Sequence, residues 1–586
     1  MGSLHLGTTK RGKDVAIDAR TRSTHMHVIG ASGEGKSKFM EHMIREDIKA
    51  GNGLCLIDPH GYLYDDLVRW CASKRMLDRA KPKKIILFNP SEQGWTFGFN
   101  PLGFGRDGGS VSYHVDAMVK AVAKVWGGED TDRTPLLKRC LRVLFHALAE
   151  KKLSLLEAQY LTDRVDKTVR TYLTHDITDQ AIRQEWAYFN SLKKPKEFYD
   201  EFGSTINRML EFLSSPIIRN IIGQTEGAID FREVMDEGHI LFVNLAAADR
   251  ISDDNARLLG TLIVNDLFMK AKGRPKGSRS FYLYIDECAR YINEDTQRIL
   301  DEGRKFGLHL ILAHQHLAQL RKIGEDIYHA VMTDAKTKVI FGGLNAEDAR
   351  TMAENVFMGE IDLEEAKTTL SKPAVVGYVR TWLENYSRGR SSTRGEASSE
   401  SRGGGESTGG STGSSSGRSH GAGGDCGGGV ISEAESSGTS RSFSSSWGAA
   451  TSSSSSETES ESYGRSEALE PILQEMPSQV FSLEEQIYKV MSLMVNQPMQ
   501  HAIIKLPKKK PRVVKTPFIE DGIARRERVD DFKNRCFQRS SFVHRIGAVE
   551  DAIAARHRMI EAAADGFASG RPQGGGEQDD KEDFYE

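Results

Sequence analysis

Eight consecutive residues near the start of the chain, Gly30-Ala31-Ser32-Gly33-Glu34-Gly35-Lys36-Ser37, follow the pattern GxxxxGK[ST]. A phosphate chain is held best by several backbone N–H groups pointing into one concavity. Glycine supplies the backbone angles that turn those groups inward. When a helix opens directly after the loop, its positive N-terminal end faces the same anion. In that arrangement Lys36 reaches the β- and γ-phosphates and the Ser37 hydroxyl ligates Mg²⁺. The flanks supply the context: the apolar run His25–Ile29 reads as a strand before the loop, and Lys38–Ala50 has a helical pattern after it.

A second segment offers the other half of a hydrolytic site. Phe281-Tyr282-Leu283-Tyr284-Ile285 is an apolar strand pattern ending in Asp286-Glu287. Ligands of open α/β sheets bind at the carboxyl ends of the strands, so these two acids belong beside the phosphate loop. Asp286 is expected to hold Mg²⁺, directly or through water, and Glu287 to orient or polarise the attacking water. Together the segments describe an ATP- and Mg²⁺-dependent hydrolase. Two further residues complete the set. Gln315 ends the strand pattern His309–Ala313 at His314-Gln315, where its amide could bond the γ-phosphate or the water. Arg304, in Gly303-Arg304-Lys305-Phe306-Gly307-Leu308, precedes that strand and could reach a neighbouring subunit's nucleotide. An arginine supplied in trans raises turnover by on the order of 10³–10⁵-fold.

Other candidates are weaker. Asp58, in Asp58-Pro59-His60-Gly61, could support the metal from a distance or simply form an Asp-Pro turn. His309, His314 and His316 lack the carboxylate or cysteine that would complete a zinc spacing, and strand alternation splits them between faces. Lys508-Lys509-Lys510-Pro511-Arg512 reads as a solvated charge run, with phosphate contact as the alternative.

The elements that must position these residues give the fold class: layered α/β, with a P-loop NTPase sheet. Seven apolar runs read as strands of a buried parallel sheet: His25–Ile29, Gly53–Ile57, Lys84–Phe88, His239–Leu245, Phe281–Ile285, His309–Ala313 and Lys338–Phe341. Residues 1–109 and 238–386 supply the two parts of that domain. Between them, 110–237 reads as an all-helical insertion, with Leu137, Cys140, Leu141 and Leu144 at helical spacing. Residues 387–466 are so rich in Ser, Gly, Glu and Thr that they read as a disordered linker. Residues 467–570 form a partly helical C-terminal segment. In it Ser482–Glu485 resembles a capping box, His501–Ile504 could add a strand, and helices are expected at Asp530–Arg539 and Val549–Ala564. The tail 571–586 is acidic and is expected to be disordered.

Composition sets bounds. The chain has 586 residues, 38% hydrophobic and 27% charged, with a formal net charge of −3. Any DNA-binding surface must therefore be a local groove. The six cysteines form no CxxC pair and fit a reducing cytoplasm. No run of 18 apolar residues suggests a membrane span, so the expected location is cytoplasmic. Any place at the inner face of a membrane would come through a partner.

These stretches resemble the TraG/TraD-type coupling ATPases of type IV secretion and conjugation, relatives of the HerA/FtsK DNA pumps. The resemblance is carried by His25–Ser37 running into Asp58–Gly61, by Phe99-Asn100-Pro101-Leu102, by Asn207–Gln224 with Asp230–Leu245, and by Tyr284–Gln315. It spans roughly residues 1–360. The family implies hexameric rings with a RecA-like motor and an all-α domain over the ring entrance, delivering a DNA–relaxase complex to a membrane channel. It assigns Lys36 and Ser37 to nucleotide and Mg²⁺, Asp286 and Glu287 to hydrolysis, Arg304 to action in trans and Gln315 to sensing. The expectation is an ATP-driven ring motor that translocates DNA. Two alternatives are a secretion ATPase acting on protein cargo and a nucleotide-switched assembly module.

Overall fold

Strands that are apolar on both faces fold between two layers of helix, and seven segments of this chain do so. The computed structural model describes residues 3–78, 84–103, 110–127, 135–246, 250–293, 295–358, 371–397, 412–418, 433–439, 452–477 and 482–570. Its main sheet has eleven strands: β1 (Leu4–Thr9), β2 (Asp14–Ile17), β3 (Met26–Ile29), β4 (Gly53–Asp58), β5 (Ile85–Phe88), β6 (Ile240–Asn244), β7 (Phe281–Ile285), β8 (Leu308–His314), β9 (Thr337–Phe341), β10 (His501–Lys505) and β11 (Arg512–Lys515). The order is β2-β1-β11-β10-β9-β3-β8-β7-β4-β6-β5. From β9 to β5 every neighbouring pair is parallel. Every residue of these seven strands is buried. They are the seven read from the sequence, with ends shifted by a residue or two.

The other edge is antiparallel and comes from both ends of the chain. β10 pairs with β9, β11 with β10, β1 with β11 and β2 with β1. The segment 467–570, read from the sequence as a region apart, is thus divided. From Glu484 onward it folds with Met1–Ile361 in one compact unit. Its helices Leu483–Val495, Arg526–Arg539 and Ile546–Ala568 include the helical segments expected there.

Among the described residues of the insertion every regular element is a helix, beginning with Val111–Gly127 and Pro135–Glu150 and ending with Phe231–Glu237. Proline opens the helices Pro195–Ser214 and Pro216–Ile222, where a missing N–H costs no helical bond. Trp186 and Phe198 stack on Phe202 in its core, and Phe189 meets Phe202 edge-on. The helix Ile546–Ala568 is tied to it by charge. Arg556 donates to Glu157 at 2.8 Å and to the Gly223 carbonyl at 2.6 Å, and His557 lies 3.0 Å from Glu157. Burial pushes the Glu157 carboxyl up, but the bonds from His557, Arg556 and Ser154 outweigh it and hold the group below its ordinary range. Among the described residues no helix is long and apolar enough to cross a membrane.

The second unit spans Asp362–Leu483. The linker expected over 387–466 lies in large part outside the described residues, as does the tail 571–586. Where that stretch is described it consists of paired strands. Ser371–Ala397 runs antiparallel to Ser452–Pro477, and Glu433–Thr439 and Thr412–Arg418 extend the sheet. Pairing uses main-chain groups alone, so a composition unable to build a core can still form it.

Candidate functional site

The parallel strands deliver the chemically capable residues to one edge. The phosphate-loop sequence Gly30–Ser37 leaves β3, Gln315 follows β8, Asp286 and Glu287 follow β7, and Asp58 ends β4. In the sheet these strands stand side by side as β3-β8-β7-β4, so one strand separates the glycine-rich loop from the acidic pair.

The loop needs its glycines. A Cβ on Gly30 would stand 2.5 Å from the Cβ of Phe341 on the adjacent strand β9, so only glycine allows that approach. Gly35, at φ 108°, opens the helix Lys36–Ala50 from a left-handed conformation. Ala31 N–H donates to the Gly342 carbonyl at 3.0 Å, tying the loop to the exit of β9. Lys36 is buried, and its Nζ donates to the carbonyls of Gly30 at 2.6 Å and Ala31 at 2.9 Å. Burial lowers its pKa, against the attraction of Glu287, Asp286 and Glu34. That coupling places the lysine in the field of both acids.

The acids crowd each other. Asp286 is 6% exposed, and its carboxyl is pushed up to about 6 by burial, then by the nearby charges of Asp58 and Glu287. A pocket that raises the cost of its own negative charge favours an added cation. Glu287 adopts a left-handed backbone at φ 44°, a conformation that costs a non-glycine residue on the order of 1 kcal/mol and recurs at functional sites. Gln315 Nε2 donates to Glu287 Oε1 at 2.7 Å, joining the ends of β7 and β8. Asp58 is occupied locally, accepting from the His60 and Tyr64 amides, each at 2.9 Å, so it forms the turn while lending its charge to the site.

A buried network sets the spacing of the two halves. Arg22 binds Asp47 through both nitrogens at 2.6 and 2.8 Å and donates to the Tyr284 hydroxyl at 2.9 Å; Tyr284 in turn bonds Asp47. Asp47 lies on the helix that follows the loop, and Tyr284 lies two residues before Asp286. The sequence reading missed this link; a lone Arg-Asp pair 25 residues apart carries no local signal. It also missed the contact of His27 and His314, whose Nε2 atoms lie 2.6 Å apart in the core between β3 and β8. His314 Nδ1 lies 3.0 Å from the His316 carbonyl, which can only accept, so His314 carries its proton there and His27 donates through Nε2. The three histidines considered for a metal are thus scattered: His309 meets Ser280 and His316 lies near Asp348. The basic run Lys508–Arg512 forms the turn between β10 and β11, with Lys508, Lys509, Lys510 and Arg512 exposed.

Arg304 is the one candidate kept away from the others. It is exposed and precedes the N-terminal end of β8, whereas Gln315 follows the C-terminal end. Seven strand residues at ~3.3 Å each put about 20 Å between the two edges.

Residues 4–247 match the family described as helicase HerA, central domain, and residues 229–380 match the type IV secretion-system coupling protein DNA-binding domain. No curated protein matches the chain in sequence. Among solved structures, the bacterial conjugative coupling protein TrwBdeltaN70 in its trigonal form with sulphate aligns with a TM-score of 0.50 at 14% identity, over 90% of this chain and 92% of that one. Its unbound monoclinic form gives 0.49 at 14% identity, over 89% and 90%. VirB4 of Thermoanaerobacter pseudethanolicus gives 0.40 at 14% identity, over 62% and 89%. The trigonal TrwBdeltaN70 alignment shows a shared fold, the RecA-like P-loop NTPase with inserted helices. The two family matches overlap at residues 229–247 and together run from residue 4 to residue 380, so over that stretch the chain is similar to the HerA central domain and to the type IV secretion-system coupling proteins.

Proposed function

We propose that this protein is an ATP-hydrolysing ring motor that binds and translocates DNA, in conjugative or type IV secretion transfer. The observation that carries the proposal is the convergence of Lys36, Asp286, Glu287 and Gln315 on one sheet edge, from segments some 250 residues apart in the chain. In this reading the amides of Ala31–Ser37 and the Lys36 ammonium hold the β- and γ-phosphates of ATP. Lys36 exchanges its two carbonyl partners for phosphate oxygens. The donor set suits Mg²⁺: the Ser37 hydroxyl and the buried Asp286 carboxylate are hard oxygen ligands that would share the ion with the phosphates. The ion, when bound, supplies charge neutralisation at the transferring phosphoryl group.

Glu287 aims its carboxylate at the water that attacks the γ-phosphorus, giving ADP and phosphate. Gln315 holds Glu287 in that orientation and, by its place at the end of β8, responds when the γ-phosphate leaves. Arg304, about 20 Å from its own chain's loop, acts on the nucleotide of an adjacent subunit. That division of labour needs a ring, and a hexamer is the form this family implies. DNA is the proposed cargo because the family matched over 229–380 is a DNA-binding domain. With a net charge of −3, contact with the polyanion falls to local basic residues. Placement at the inner membrane face would come through channel or relaxase-like partners.

The test is ATP turnover of the purified full chain with single-stranded DNA, double-stranded DNA and no DNA, at two salt concentrations. DNA stimulation that weakens at the higher salt is expected. Turnover indifferent to DNA but raised by a secretion partner would transfer the motor to protein cargo.

A further inference from the structure

The flank of the phosphate loop opposite the acids is built by a segment from the far end of the chain. β9 is the neighbour of β3 on the side away from β8, and β10 lies beyond it. The turn leading into β10 reaches back over the loop. Gln500 N–H donates to the Glu34 carbonyl at 3.4 Å, and a Cβ on Gly35 would stand 3.7 Å from the Gln500 Cα and N. Gly343 N–H donates to the Val495 carbonyl at 3.1 Å, and Gln497 Nε2 donates to the Ile340 carbonyl at 3.2 Å. The turn is closed by His501 N–H on the Pro498 carbonyl at 3.0 Å. Gln500 is held at φ 62°, where glycine would be the unstrained choice. A strained turn moored at one end to Ile340 and Gly343 and at the other to Glu34 and Gly35 leaves Met499 at its tip, 67% exposed, an apolar side chain with no core to enter.

Direction along the site assigns a purpose. On the nucleotide reading proposed above, the γ-phosphate end of ATP would face Asp286 and Glu287, towards β7. The base, at the other end of the triphosphate, then lies towards β9 and β10. We propose that the turn Gln497–Gln500 is the wall of the base pocket, with Met499 as the apolar platform against the base and Gln500 fixing the turn to the loop. A thioether against an aromatic face is a favourable contact that reads the ring by its face rather than by its edge. The proposal rests on the nucleotide-site reading above and adds that residues beyond the Ser/Gly-rich stretch are part of that site.

The experiment measures equilibrium binding of ATP and of inorganic tripolyphosphate, both with Mg²⁺, to the full chain as wild type, Met499→Ala, Met499→Asp and Lys36→Ala. Met499 is exposed, so its replacement leaves the fold intact. In Met499→Ala the affinity for ATP is expected to fall about tenfold, further in Met499→Asp, while tripolyphosphate binds as in the wild type. Unchanged ATP affinity in both variants, or an equal loss for both probes, overturns the base-wall assignment and leaves the phosphate site standing. Undiminished binding of both probes to Lys36→Ala overturns the nucleotide reading on which it rests.

Discussion

Replacing Asp286 by asparagine should stabilise the nucleotide-free protein at neutral and alkaline pH. The carboxyl is held at about 6 against an ordinary 3.8, by burial and by the charges of Asp58 and Glu287. At ~1.4 kcal/mol per tenfold in proton affinity, the ionised group costs the fold about 3 kcal/mol. The sign follows from proton counts. Between the two values the folded state binds more protons than the unfolded chain, so stability falls as pH rises through 6 and the penalty is complete above it. Asparagine removes the charge and keeps the oxygen that accepts from the Glu287 amide at 3.0 Å. The expected gain is therefore about 3 kcal/mol at pH 8, shrinking through pH 6 and gone near pH 4. Urea unfolding in the presence of a chelator, at pH 8, 6 and 4.5, measures it directly. A variant no more stable than wild type at pH 8, or equally more stable at every pH, would refute the claim that the site is strained by its own charge. The same substitution should abolish turnover, since it removes a proposed Mg²⁺ ligand.

Two other perturbations test the arrangement. Arg304→Ala should fold normally and bind ATP but turn over slowly, and mixing it with Lys36→Ala subunits should partly restore hydrolysis; absence of restoration in mixed assemblies counts against action in trans. Arg556→Met leaves Glu157 fully buried with His557 and Ser154 as its remaining side-chain partners, and should cost about 3 kcal/mol in urea unfolding at pH 7. Because Glu157 is held below its ordinary range, the stability it contributes is present above about pH 4.5 and is lost as pH falls through the folded value. The deficit of Arg556→Met should therefore shrink in acid.

The parts of this molecule that could be read from sequence share one property: their signal is local. The strands β3 to β9 are apolar on both faces because helices cover both, so each stands out as a short uninterrupted run. The loop Gly30–Ser37 is recognisable because phosphate binding by main-chain amides constrains glycine and lysine within eight residues. The antiparallel edge lacks such a mark. β1 carries His5, Gly7, Thr8 and Thr9, and β11 is four residues long with a charged residue at each end, so neither stands out as an apolar run. Their placement depends on pairing between chain ends, Thr8 with Lys515 and Ile340 with Ile503, which no local pattern encodes. The same holds for the site's supports. Arg22, Asp47 and Tyr284 are unremarkable in sequence and become a unit only when helix and strand are packed. The turn at Gln497–Gln500 meets the phosphate loop across more than 450 residues of chain.

In the proposed mechanism the acidic pair after β7 serves the phosphate loop after β3. Single-turnover hydrolysis and equilibrium ATP binding, measured side by side on wild type and Glu287→Gln, test it most directly. The substitution keeps the shape and the neighbour Gln315 while removing the charge that orients water. The account predicts ATP binding with Mg²⁺ unchanged and a hydrolysis step slowed by on the order of 10²–10⁴-fold. Hydrolysis at the wild-type rate in Glu287→Gln would contradict it.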